Sequence, residues 1–152
     1  NLDESVNCTV IFDKRRLEQI LNALVGNAIR FTDEGRIAIE SRITERPEET
    51  GESLRDLSKV ERQDEAGGPE RTRFLYVCVT DTGVGIEEQF HERVFEPFFQ
   101  VDASSTRRHE GAGLGLSNIS RIVNRLGGTI HLDSRLGHGS AFTVMLPVRE
   151  DA

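Results

Sequence analysis

The pattern of apolar and polar positions along the chain predicts two amphipathic helices. In the segment RRLEQILNALVGNAIRFT (15–32), apolar side chains recur every three or four residues, at Leu17, Ile20, Leu21, Leu24, Val25 and Ala28. A second segment with this spacing, SNISRIVNRLGG (117–128), ends in two glycines, which commonly terminate helices. Each predicted helix therefore has one face suited to covering a core.

Alternating or β-branched runs predict strands on either side of these helices. The predicted strands are CTVIFD (8–13), RIAIESRI (36–43), FLYVCVTD (74–81), TIHLDS (129–134) and SAFTVMLPV (140–148). The second and third are expected to pair as neighbours. Between them lies a charged insert, residues 44–73, in which half of the residues are charged, and it reads as a long solvated connection. Strands and helices interspersed in this way favour an α/β sandwich.

Length and composition limit the possibilities further. A chain of 152 residues with 36% hydrophobic content is long enough for one buried core, so residues 1–152 are expected to form a single domain. A net charge of -7 argues against binding to nucleic acid or to an anionic membrane. Cys8 and Cys78 lack the spacing of a zinc site or a disulfide framework, so both are expected to be buried small hydrophobes.

The run GAGLGL (111–116) places three glycines directly before the second predicted helix. Exposed amides at a helix N-terminus favour an anion such as phosphate. Glycines at this position would equally permit close packing of the helix. The run is not a dinucleotide-binding fingerprint, because polar residues rather than a strand precede it, and no GxxxxGK[ST] phosphate loop occurs in the sequence.

Further motifs occur in a fixed order around this run: an asparagine-bearing helix (15–32), DTGVGI (81–86), FEPFFQ (95–100) and GHGS (137–140). Together with GAGLGL they resemble five motifs of the catalytic, ATP-binding domain of sensor histidine kinases. The helix resembles the N box, DTGVGI the G1 box and FEPFFQ the F box. GAGLGL resembles the G2 box, and GHGS the last glycine turn. This superfamily includes gyrase, the heat-shock chaperone ATPase and the mismatch-repair ATPases. The resemblance implies a two-layer α/β sandwich, with a mixed, mostly antiparallel sheet and helices on one face. The segment FFQVDASSTRR (98–108) is most similar to the corresponding segment of hybrid-type kinases.

The resemblance implies that the ligand is ATP with Mg²⁺. Asp81 is expected to accept a hydrogen bond from the exocyclic amine of adenine, although a carboxylate in a DTG sequence could instead cap its own turn. Phe31 matches the aromatic residue that stacks on the base, and plain core packing is its alternative. The remaining expected contacts to the base are Gly83, Gly85, Ile86 and, through a water molecule, Ser140.

The phosphates are expected to lie between the first helix and the GAGLGL run. Asn27 is implied as the Mg²⁺ ligand, and Arg30 replaces the family's usual Lys beside a phosphate; both are expected to act in catalysis. Arg107 and Arg108 are expected to close over the phosphates, with a solvated charge pair as the equal alternative. The amides expected to contact phosphate belong to Gly111, Gly113, Leu114, Gly115 and Leu116.

Three positions depart from the family pattern. Ala23 stands where a second Asn is usual, one turn before Asn27, and Asn22 is displaced by one residue, or about 100° around the helix. In the GAGLGL region, Ala112 replaces a Ser or Thr and Glu110 replaces a Gly. We expect these changes to weaken anion binding. They keep open the alternative of a degenerate domain that regulates a kinase partner by docking.

The chain lacks a recognisable phosphoacceptor histidine. In HERVFEP (91–97) the Pro lies one residue too far from the His, and the segment carries the F box instead. The acceptor is therefore expected on a separate helical dimerisation domain of the same receptor, with a receiver domain or another kinase as further candidate partners. The resemblance implies that the chain is a cytoplasmic domain of a larger membrane-bound receptor, without direct membrane contact. An ATP hydrolase is less favoured, because it needs a carboxylate where Ala23 stands.

Overall fold

The computed structural model describes residues 10–44, 73–101 and 113–150. Most of the charged insert lies outside these ranges, as do residues 102–112. The described elements are β1 (Val10–Ile11), α1 (Lys14–Phe31), β2 (Ile37–Thr44), β3 (Arg73–Asp81), two 3₁₀ turns (Glu88–Phe90 and Arg93–Phe95), α2 (Gly115–Arg125), β4 (Thr129–Arg135) and β5 (Gly139–Glu150).

The strands form one sheet in the order β1-β5-β3-β2, with β4 also paired to β5. The predicted pairing of β2 with β3 is confirmed, with Ile37 opposite Asp81. On its other side β3 pairs with β5, so that Asp81 also faces Ser140. Every strand pairing within the described ranges is antiparallel. The C-terminal end of β3 and the start of β5 thus lie side by side at one end of the sheet.

Both helices cover the same face of the sheet, as predicted. Asp13 begins α1 by accepting hydrogen bonds from the backbone amides of Arg15 at 3.0 Å and Arg16 at 3.2 Å. The helix has an apolar stripe with helical spacing, and it buries that stripe against strands and α2. The shared core contains Ile20, Leu24 and Ala28 of α1, Ile119 and Val123 of α2, and Val79, Leu132, Phe142, Val144 and Leu146 of the sheet.

A smaller apolar cluster lies on the opposite face of the sheet, where Phe74, Tyr76, Cys78 and Met145 are buried. The guanidinium of Arg42 lies 4.1 Å from the centre of the Tyr76 ring, and burial raises the pKa of that phenol. Cys78 is thus a buried small side chain, as predicted, whereas Cys8 lies outside the described residues. No helix in the described ranges is long and apolar enough to cross a membrane.

Candidate functional site

Asp81 is buried at the end of β3, with only 6% of its surface exposed. One carboxylate oxygen, Oδ1, accepts a hydrogen bond from the backbone amide of Gly83 at 2.8 Å. The turn-capping role considered for this carboxylate is therefore real, but it uses a single oxygen. The other described residues supply no side-chain hydrogen bond to Asp81, which leaves Oδ2 for another donor.

The turn after Asp81 packs directly on the C-terminus of α1. The amide of Val84 donates to the carbonyl oxygen of Phe31 at 3.2 Å. A Cβ atom at Gly83 would lie 2.1 Å from that same carbonyl oxygen, far inside van der Waals contact. This glycine is therefore required by a contact within the protein, and its expected contact with the purine stays a prediction. The contact fixes the end of α1 beside Asp81.

The same turn is joined to the β4–β5 connection on its other side. Gly85 has a positive φ of 69°, and a Cβ there would lie 2.1 Å from the carbonyl oxygen of Arg135. The amide of Gly137 donates to the carbonyl oxygen of Val84 at 2.7 Å. At Gly139, a Cβ would lie 2.0 Å from the carbonyl oxygen of Asp81. Three glycines thus bring two turns and a strand end into backbone contact.

A pair of serines connects these elements through side chains. The hydroxyl of Ser134 on β4 accepts from the amide of Ile86 at 2.8 Å and donates to the carbonyl oxygen of Gly139 at 2.8 Å. It also lies 2.9 Å from the hydroxyl of Ser140, its cross-strand partner. Ser140 was predicted as a site residue, whereas Ser134 was missed. Its place opposite Ser140 follows from the pairing of β4 with β5, and no motif in the sequence marks it.

The predicted residues of α1 lie near the end of that helix. Asn27 is partly buried and Arg30 is exposed. Phe31 remains 41% exposed, so it does not fill the core, which was its alternative role. Phe31 and Asp81 both contact the turn that follows Asp81: the Phe31 carbonyl accepts from Val84, and the Asp81 carboxylate accepts from Gly83. The backbone of α1 at Phe31 thus lies against the turn that follows the buried carboxylate.

A groove runs between α1 and α2. It is lined by Arg16, Gln19, Asn22 and Ala23 from α1 and by Gly115, Asn118, Ile119, Arg121, Ile122 and Arg125 from α2. We call it the helix groove. Among the predicted ligand-contacting residues that the structure describes, only Gly115 lines it, so the helix groove is distinct from the surroundings of Asp81. Asn22 and Ala23 both line the groove, despite the turn of about 100° between them.

The described part of the GAGLGL run forms the start of α2. Gly113 has a φ of 66°, and its carbonyl accepts from the amide of Phe98 at 3.1 Å. Leu114 precedes the helix and provides no side-chain cap, so the first amides of α2 are not satisfied by that residue's side chain. Gly115 has open space around its Cβ position, whereas Leu116 packs against the core. Such a helix start is suited to an anion.

Other predicted residues lie outside the described ranges. These are Arg107, Arg108 and Gly111, together with the departures Glu110 and Ala112. Within the described ranges, no group of three or more His, Cys, Asp or Glu side chains is placed to hold a metal. A metal at this site would therefore depend on a neutral oxygen such as that of Asn27, on water and on the ligand itself.

The profile of the family described as histidine kinase-, DNA gyrase B-, and HSP90-like ATPase matches residues 12–150. The chain belongs to this family. The signal transduction histidine-protein kinase BarA of Escherichia coli strain K12 is 40% identical over 142 residues, which make up 93% of this chain and 13% of BarA. The autoinducer 2 sensor kinase/phosphatase LuxQ of Vibrio vulnificus strain CMCP6 is 35% identical over 95% of this chain and 14% of LuxQ.

Solved structures in this family share the fold. Full-length ShkA in complex with AMPPNP superposes with a TM-score of 0.66 at 28% identity, over 95% of this chain and 24% of ShkA. The nucleotide-free catalytic domain of the histidine kinase ThkA gives a TM-score of 0.56 at 28% identity, over 89% of this chain and 68% of that domain. These likenesses confirm the predicted fold class and the predicted resemblance. The chain spans about one seventh of the length of the two curated relatives.

Proposed function

We propose that the chain binds MgATP and serves as the catalytic domain of a sensor histidine kinase. The observation that carries this proposal is the buried carboxylate of Asp81. Its Oδ1 is held by the Gly83 amide at 2.8 Å, and its Oδ2 remains for a donor from a ligand. The exocyclic amine of adenine is such a donor, whereas guanine presents a carbonyl oxygen at the equivalent position. We call Asp81, Gly83, Gly85, Ser134 and Ser140 the base end of the site.

The opposite side of the proposed site would hold the phosphates. We call Asn27, Ala23 and the first turn of α2 from Gly115 the phosphate end. The neutral amide oxygen of Asn27 suits Mg²⁺, which keeps most of its ligands from phosphate and water. The exposed Arg30 supplies a positive charge one helical turn away. The chain thus positions the nucleotide and neutralises its charge, with no covalent nucleophile of its own.

The reaction proposed is transfer of the γ-phosphoryl group to a histidine on a separate helical domain. Hydrolysis requires a base that activates water, and Ala23 offers none where the hydrolases of the superfamily have a carboxylate. The same residue supports a second candidate function, a degenerate domain that regulates a kinase partner by docking. The two candidates differ in whether bound ATP is consumed.

We propose that this acceptor domain belongs to the same receptor and that the described domain lies on the cytoplasmic side of the membrane. A receiver domain or another kinase would be a further partner, in keeping with the sequence likeness to hybrid-type kinases. The small fraction of the curated relatives that this chain spans supports a role within a larger protein.

A radiolabelled transfer assay tests the proposal. The chain is incubated with γ-labelled MgATP, alone and with a supplied helical acceptor domain. Label should appear on the acceptor histidine and not on the chain itself. A regulatory domain would transfer no label in either case, and stable phosphohistidine on the chain would contradict the separate acceptor. Release of free phosphate without transfer would favour the hydrolase instead.

A further inference from the structure

The hydroxyl of Ser134 has one proton, and its neighbours determine where that proton goes. The carbonyl oxygen of Gly139, 2.8 Å away, can only accept, so Ser134 must donate to it. The amide of Ile86, at 2.8 Å, can only donate, so Ser134 accepts from it. The donor capacity of Ser134 is then fully used within the protein.

This count fixes the direction of the bond between the two serines. Their hydroxyl oxygens lie 2.9 Å apart, and one of them must supply the proton. Because the only proton of Ser134 is committed to Gly139, Ser140 is the donor. The hydroxyl of Ser140 therefore donates its hydrogen bond to Ser134, and its oxygen can only accept from any other group.

Ser140 and Asp81 present these acceptors side by side. They are direct cross-strand partners, so their side chains lie on the same face of the sheet, roughly 5 Å apart at Cβ. Ser140 is 8% exposed and Asp81 is 6% exposed, which places both at the rim of the core rather than in bulk water. A ligand group that lies against these two side chains therefore faces an acceptor from each of them.

We propose that Ser134 is a positioning residue that makes the site selective for an amine at the purine 6-position, an inference that rests on the proposed binding of ATP. Through Ser134, the hydroxyl of Ser140 is held as an acceptor, directly or through one water, alongside Asp81. An amino group donates to both. A carbonyl oxygen at the same position, as in hypoxanthine or guanine, meets only lone pairs and is rejected.

Removal of Ser134 should relax this selectivity rather than merely weaken binding. In Ser134→Ala, the Ser140 hydroxyl is free to rotate and donate to a carbonyl oxygen. The chain should then bind inosine triphosphate more favourably relative to ATP, by about three- to tenfold, the value of one neutral hydrogen bond. Ser134→Thr keeps the hydroxyl and should have the wild-type ratio of ATP affinity to ITP affinity. In the double variant Ser134→Ala with Ser140→Ala, no hydroxyl remains to donate to the ITP carbonyl oxygen. The preference for ATP over ITP should therefore return.

The experiment measures dissociation constants for MgATP and MgITP by calorimetric titration of the full chain and these variants. Ser41→Ala, on β2, serves as a control at a strand serine away from the site. A higher ITP affinity relative to ATP in Ser134→Ala alone supports the proposal. Equal loss of both affinities would mean a purely structural role and would overturn it. If Ser134→Ala fails to fold, Ser134→Cys, a weak donor of similar shape, replaces it with the same expectation.

Failure of the two proposals can be distinguished. If the wild-type chain binds neither nucleotide, the proposed function is wrong, and the selectivity inference fails with it. If the wild-type chain prefers ATP and Ser134→Ala keeps that preference, only the role of Ser134 is wrong. The hydroxyl-proton NMR signals of the nucleotide-free chain provide a further check, because the Ser140 proton should point to Ser134. A Ser134 proton that instead points to Ser140 would overturn the inference without reference to any ligand.

Discussion

The base end and the phosphate end of the site differ in how they are held in place. At the base end, backbone contacts and the serine pair join β3, β4, β5 and the end of α1 into one network. At the phosphate end, Asn27 and Ala23 lie on α1, and Gly115 begins α2. The open helix groove lies between Ala23 and Gly115. The proposed base end is held by hydrogen bonds within the protein, whereas we expect the proposed phosphate end to be completed by its ligand.

We expect the two ends to tolerate substitution differently. Recognition of a base needs acceptors of fixed direction, so each partner of Asp81 must stay in place. Phosphate binding can use water and metal to fill a missing contact, because Mg²⁺ readily keeps several waters. Substitutions such as Ala23 are therefore expected to slow chemistry at the phosphate end while binding at the base end persists.

The largest effect is expected at Gly83. In Gly83→Ala, the new methyl group would lie 2.1 Å from the Phe31 carbonyl oxygen, so α1 and the turn must separate. We expect the free energy of unfolding to fall by roughly 2 kcal/mol or more. The matched control is Gly26→Ala, which has no atom within 4 Å of the added Cβ and lies inside α1. There a gain of up to about 1 kcal/mol is expected. Urea titrations of both variants measure the contrast, and equal stabilities would show that the contact is not as described.

Asp81→Asn tests the base end without changing its shape. The Asn carbonyl oxygen can still accept from Gly83, but its amino group would then face the adenine amine, donor against donor. Loss of a charge-assisted hydrogen bond should weaken MgATP binding about tenfold or more. Asp133→Asn, an exposed position on β4, is the control and should leave the dissociation constant unchanged. If calorimetry gives the same affinity for both variants, Asp81 does not contact the base.

Ala23→Asn tests the phosphate end. The position lines the helix groove, which has room for the longer side chain, and lies one turn before Asn27. At saturating MgATP, label transfer to a helical acceptor domain should rise several-fold, through better placement of the γ-phosphate, with a smaller change in affinity. Rapid transfer by the parent chain would contradict this account of Ala23. So would a variant whose affinity rises while its transfer rate does not.

The smallest effect is expected at the far end of the helix groove. Arg125 ends α2, about 15 Å along the helix from Gly115, which exceeds the Debye length of about 8 Å at physiological salt. Arg125→Ala should therefore change the MgATP dissociation constant by less than about twofold. A loss of tenfold at this salt concentration would mean that the phosphates extend along the groove as far as the C-terminal end of α2.

Local patterns predicted the elements well, because they depend on neighbours in sequence. The stripe containing Ile20, Leu24 and Ala28 gave α1, and the β-branched run of β3 gave a central strand paired with β2. The fold class and the resemblance followed from the order of the glycine motifs and are confirmed.

The long-range partners of the site were beyond sequence patterns. The hydroxyl of Ser134 meets the amide of Ile86 across 48 positions, and the serine has no motif of its own. Gly83 was predicted as a contact to the base, and the structure shows that the carbonyl of Phe31 also lies close to it. A glycine pattern shows that something must come near, and only the packing of α1 against β3 shows what. The expected ligand contacts themselves stay predictions.

Selection of an adenine nucleotide by the base end can be measured by calorimetric titration of the chain with MgATP and MgGTP. Asp81 and Ser140 both present acceptors, so ATP should bind at least about tenfold more tightly than GTP. Equal affinities, or no heat of binding for ATP at millimolar concentration, would contradict the account.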